Sequence, residues 1–96
     1  MVQVRRVVVD VLKPHDPSPV EFADALAGVE GVEGVTVSLV EHDREVQNVE
    51  VAAEGEALDY AALEARVEQL GGTVHSVDQV SCGDIVVESG QTARNG

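Results

Sequence analysis

Three histidines, one lysine and a run of acids hold most of the chemical potential of this chain. Lys13, His15 and Asp16 stand together in K-P-H-D; Glu41, His42, Asp43, Arg44 and Glu45 stand together in E-H-D-R-E; His75 stands apart in T-V-H-S. A lysine and imidazoles beside a helix start suit a carboxylate or phosphate, because the first backbone N–H groups of a helix lack partners. Carboxylates instead suit a hard divalent cation such as Ca2+ or Mg2+, and Glu41, Asp43 and Glu45, with Asn48 nearby, are the candidate metal set. These acids lack the ligand spacing and central glycine of an EF-hand loop, and a charged hairpin tip is ordinarily just solvated. Taken singly, His15 reads as a loop residue packed on proline, His42 as an exposed hairpin residue and His75 as a strand residue hydrogen-bonded on the sheet face.

Other chemistry finds less support. Cys82 is the only cysteine, which excludes an intrachain disulfide and a Cys-x-x-Cys site; it fits a reducing compartment and reads as a small apolar filler near a turn. Ser18 precedes Pro19 and stands three residues before Glu21, so it is better explained as a helix cap than as a nucleophile.

The elements that must position these residues follow from periodicity and breakers. Residues 2–12 are rich in valine and unbroken until Pro14, which predicts a first strand, and the three prolines of residues 13–19 predict a loop. Ser18 caps a helix whose face carries Phe22, Ala25, Leu26 and Val29, ended by Gly28, Gly31 and Gly34. Alternation predicts strands at 35–41 and 48–54 around a short polar hairpin at 42–47. Asp59 caps a second helix with Tyr60, Leu63, Val67 and Leu70 on its buried face, Gly71-Gly72 ends it, and residues 73–80 predict a fourth strand. A further apolar patch follows at Ile85, Val86 and Val87; residues 1–88 are expected to form one domain and residues 89–96 a disordered tail.

Composition narrows the class. Twenty-one valines and only two aromatics, Phe22 and Tyr60, require a core of small β-branched side chains, which favours a sheet over a helical bundle. Eighteen acids against six bases give a net charge of −12, which repels phosphate backbones and argues against a nucleic-acid partner. Five of the six bases are arginine, and the acidic surface suggests a salt-accumulating, halophilic cytoplasm in which self-repulsion is screened. Arg5, Arg6, Asp10 and Lys13 interrupt the first apolar run, so no membrane-directing segment is expected there.

Two β-α-β units joined by a hairpin fit one sheet most simply in the split arrangement. The expected fold is therefore α+β: a ferredoxin-like βαββαβ sandwich, a four-stranded antiparallel sheet of order 4-1-3-2 with two helices on one face. The connection between the second and third strands is too short for a crossover helix, which excludes an all-parallel sheet. This topology gathers Lys13, His15, the 41–48 hairpin and His75 at one end. If Val7, Val9 and Val11 face the helices, then Arg6, Val8, Asp10 and Leu12 face outward with Ser38, Val40, Glu50, Ala52, His75 and Val77. That half-apolar face predicts a homo-oligomer assembled through the open sheet.

R-R-V-V-V-D-V-L-K-P-H at residues 5–15, V-E-G-V at 32–35, L-V-E-H-D at 39–43 and L-G-G-T-V-H-S-V-D at 70–78 together resemble the archaeal family called domain of unknown function 211, over about residues 3–88. The resemblance implies a ferredoxin-like, oligomer-forming domain with no established activity, related in shape to ACT-like regulatory domains that bind amino acids. It places Asp10, Lys13, Pro14, His15, Glu41, Asp43, His75 and Asp78 on the family's motif positions, whereas His42 and the region around Cys82 depart from them.

The expected function is a non-catalytic regulatory or assembly module that binds a small anionic metabolite or a divalent cation. Lys13, His15, His75, Asp10 and Asp78 are the expected ligand-binding residues, with Glu41, Asp43 and Glu45 as the metal alternative. A purely structural oligomer is the competing reading. An acylphosphatase-like hydrolase is the third; Arg44 and Asn48 are the residue types it would use, but no glycine-rich phosphate loop accompanies them.

Overall fold

A computed structural model describes residues 3–87 as β1 (Val4–Pro14), α1 (Pro19–Ala27), β2 (Gly34–His42), β3 (Val46–Glu54), α2 (Tyr60–Gln69) and β4 (Thr73–Cys82). The expected tail at 89–96 lies outside the described residues. The strands form one sheet in the order β2-β3-β1-β4, every neighbouring pair antiparallel, which is the anticipated 4-1-3-2 order read from the other edge. With two helices, this is a ferredoxin-like α+β fold.

Local chemistry sets the helix ends. Ser18 Oγ accepts the Glu21 amide while the Glu21 carboxylate accepts the Ser18 amide, and Pro19 occupies the first turn where no N–H is needed. Asp59 caps α2 by accepting the Ala62 amide. Phe22 and Leu26 of α1, with Leu63 and Val67 of α2, then bury against Val7, Val9 and Val11 of β1 and Val49, Val51 and Ala53 of β3. At the far end of the sheet two turns meet so closely that a Cβ on Gly55 would lie 1.9 Å from the Gly31 carbonyl oxygen, which only glycine permits.

Three expectations need correction. Lys13 and Pro14, read as the start of a loop, close β1 opposite Gln47 and Val46. The β4 ladder has already ended at Leu12 and Thr73, so Pro14 sits at the sheet margin, where its missing N–H costs little. β2 and β3 also run further than their alternation suggested, leaving a turn of residues 43–45. Val77, expected on the open face, pairs with Val9 on the helix side, because β4 carries an extra residue at His75 that shifts the alternation; a second extra residue, Asp78, shifts it again beyond Val77.

The open face is more polar than its alternation implied. Arg6 bonds Glu54 at 2.6 Å and Gln79 at 3.0 Å, and Asp10 accepts the Asn48 amide at 2.6 Å. Within the sheet the edge strands carry the more exposed large apolar side chains, Leu39 and Val40 on β2, Val77 (48% exposed) and Val80 (53%) on β4, while Val20, Ile85 and Val87 are exposed outside it.

Candidate functional site

A single row of side chains crosses three strands at the end of the sheet. In β1 the inward set Val7, Val9, Val11 continues two residues further to Lys13, and in β3 the inward set Ala53, Val51, Val49 continues to Gln47. Lys13 and Gln47 are register partners, 1% and 7% exposed. On β2 the inward set Val35, Val37, Leu39 would next present Glu41. A register shift makes Val40 an extra residue, so Glu41 pairs with Asn48 and His42 pairs with Gln47. The bulge thus puts an imidazole, not a carboxylate, at the end of the row.

The row is hydrogen-bonded throughout. The Lys13 ammonium donates to the Pro14 carbonyl at 2.7 Å and to Gln47 Oε1 at 2.9 Å, and its Nζ lies 5.5 Å from the centre of the Phe22 ring. A buried ammonium is tolerated only with acceptors of this kind. Burial pushes the Lys13 pKa below its ordinary value, while the carboxylates of Asp16 and Glu21 pull it back upward. Since an ammonium has no lone pair to offer, Gln47 must turn its oxygen to Lys13 and its N–H to the other side. There Gln47 Nε2 donates to His42 Nδ1 at 3.2 Å.

The chain of contacts then reaches the surface. The His42 and His15 rings lie 4.5 Å apart, tilted by 43°, and His15 Nε2 donates to the Asp43 carbonyl at 2.6 Å. Asp43 is occupied with its own turn, its amide donating to the Val46 carbonyl and its carboxylate accepting the Arg44 amide. A connected path therefore runs from the sealed lysine through Gln47 and the imidazole pair to the tip of the hairpin.

The structure divides the predicted site residues. Lys13 and His15 join this path. Asp10 lies on the opposite sheet face with Asn48. His75 and Asp78 are the bulged, exposed residues of edge strand β4, and Asp78 accepts the Ser76 hydroxyl. Of the metal set, Asp43 and Glu45 lie in the turn, while Glu41 faces away with Asn48. Among the described residues, no group of three or more His, Cys, Asp or Glu side chains is assembled to hold a metal ion. The start of α1 already carries the Glu21 carboxylate, which occupies the position an anion would take.

Sequence reasoning missed Gln47 altogether and left His42 as a solvated tip residue. The signal for Gln47 was present in the period-two series 53, 51, 49, 47; for His42 no pattern in the chain marks the bulge at Val40.

Comparison with known proteins places this architecture among relatives. Among the described residues, no helix is long and apolar enough to cross a membrane. An uncharacterized protein of Methanocaldococcus jannaschii is 38% identical over 92 residues, covering 96% of this chain and 95% of the relative. The model of the family described as "Uncharacterized ArCR", domain of unknown function 211, matches residues 5–96, and the chain belongs to that family.

Proposed function

We propose that the chain is a non-catalytic regulatory or assembly module that works as a homo-oligomer and responds to a small ligand at the hairpin end. The observation that carries this reading is the wiring of the only lysine. A cation sealed in the core is linked through Gln47 to two imidazoles at the surface, so an event at the rim is felt where strands β1 and β3 pair. Nitrogen donors and carboxylates coexist there, His15 and His42 with Asp16 and Asp43, and since they are not gathered as a metal-ligand set they support a small molecule with both donors and acceptors. Leu39 and Val40 on one edge strand and Val77 and Val80 on the other support self-association, since burying them would remove apolar surface from water. The acidic surface supports work in a salt-rich interior.

Thermal-shift screening with divalent metals, amino acids and nucleotides tests the ligand. A rise in Tm for one class that is lost in His15→Ala and His42→Ala is the expected result; a flat response across the panel overturns it.

A purely structural oligomer is the second reading, favoured by the full engagement of Lys13 and by the capped helix start, neither of which leaves an obvious vacancy for a ligand.

A further inference from the structure

The Gln47 amide stands between two groups whose charge states make opposite demands on it. With Lys13 as an ammonium, Gln47 Oε1 is committed to Lys13 and the amide N–H to His42 Nδ1, so neutral His42 must carry its ring proton on Nε2. When His42 takes up a second proton, Nδ1–H faces the Gln47 N–H and two donors meet. Rotating the amide satisfies the imidazolium but turns the NH2 group onto the Lys13 ammonium. No orientation of a glutamine serves both cations.

We propose that this conflict makes the hairpin an acid-released latch: protonation of His42 breaks its bond to Gln47 and frees the turn from the loop that follows β1. The second fastening, His15 Nε2–H to the Asp43 carbonyl, keeps its donor when His15 is charged, but the His15 ring lies 4.5 Å from His42, and the repulsion of two imidazolium rings at that separation strains it. The charged and titratable groups of the elements around the pair are Lys13, His15 and Asp16 of β1 and its following loop, Glu21 of α1, and Asp43, Arg44 and Glu45 of the turn. The carboxylates among them soften the repulsion between rings. They do not relieve the mismatch at Nδ1, whose one hydrogen-bond partner among the described residues is Gln47. The device needs no ligand, so it stands or falls separately from the proposed binding function.

The test is amide hydrogen exchange of residues 42–47 in the whole chain at successive pH values from about 8 to about 5, corrected for intrinsic rates, the range in which imidazoles change charge. Protection of these residues is expected to fall by about tenfold or more, while the centres of β1 and β3 stay protected. Gln47→Glu offers a carboxylate that accepts from the ammonium and the imidazolium together, and in this variant the acid-induced loss should vanish or reverse. Imidazole 15N shifts of the wild type near pH 8 should place the His42 proton on Nε2. Protection that does not change with pH, an identical pH profile in Gln47→Glu, or a proton on Nδ1 would each overturn the proposal.

Discussion

Lys13 and Gln47, 34 residues apart in the chain, face each other across the β1–β3 ladder with the ammonium 2.9 Å from the amide oxygen, both withdrawn from solvent. This one contact ties the end of the first strand to the hairpin. It also explains how a charged residue can occupy a core position beneath Phe22.

Removing either partner should hurt, and removing both should hurt less than the sum. Lys13→Met leaves the Gln47 oxygen buried without a donor, at a cost of about 1–3 kcal/mol. Gln47→Leu strips the ammonium of its side-chain acceptor and should cost about 2–3 kcal/mol. The double variant replaces a polar pair by apolar groups of similar size, so a coupling of about 1–2 kcal/mol is expected in a urea-unfolding cycle. Strict additivity would show that the two side chains do not depend on each other.

Alkaline stability carries two opposed signatures. Burial holds Lys13 below its ordinary value, so between the folded and unfolded values the unfolded chain binds more protons and this group makes stability rise as pH climbs toward about 10. Tyr60 is pushed upward by burial and then by Glu64 and Glu68, so the folded chain keeps a proton the unfolded chain loses, and its contribution is lost as pH rises through and above about 10. Denaturant titrations across this range should therefore show Lys13→Met flattening the rising limb and Tyr60→Phe softening the fall. Unchanged limbs in either variant would contradict the corresponding shift.

Salt should stabilise the fold. At a net charge of −12, raising KCl from about 0.1 M to about 1 M shortens the Debye length from roughly 10 Å to roughly 3 Å and screens the mutual repulsion of the acids. Calorimetry is expected to show Tm rising by about 5 °C or more, the equivalent of about 1 kcal/mol for a chain of this size. A Tm indifferent to salt would leave the acidic surface without the proposed role.

Self-association through the sheet edges should be sensitive to charge. Leu39→Glu on β2 and Val80→Glu on β4 alter exposed side chains, so each variant should stay folded by circular dichroism. Sedimentation velocity is expected to show the wild type as a multimer and each variant as a smaller species. A wild type that sediments as a single chain would rule out the homo-oligomer, and variants that keep the wild-type size would place its contacts elsewhere.

Much of the architecture was written locally. The valine runs, the Ser18-Pro19-Glu21 cap, Asp59 and the glycines after each helix act over a few residues, and each determined its element before any tertiary contact was known. The short connection between β2 and β3 then left one sensible strand order, and the chain adopts it. The site was only half legible. Lys13 and His15 were singled out by residue type, yet K-P-H-D-P looked like a loop because two prolines and polar residues make it up, and the burial of Lys13 follows from Gln47, Phe22 and the inward step of β1.

Register was decided by tertiary structure alone. A bulge adds one residue to one strand and turns every later side chain to the other face, and nothing in the composition around Val40, His75 or Asp78 marks where that residue falls. The bulge at Val40 brings His42 to Gln47 and turns Glu41 away. The bulge at His75 moves Val77 to the helix side and the one at Asp78 shifts the alternation again beyond it, and both bulged residues stay outside the network on the edge strand. The sequence by itself determined which elements form and which residue types meet at one end of the sheet; the pairing of whole strands, in which the extra residue settles where the combined ladder and core packing are best satisfied, decided which of those residues touch.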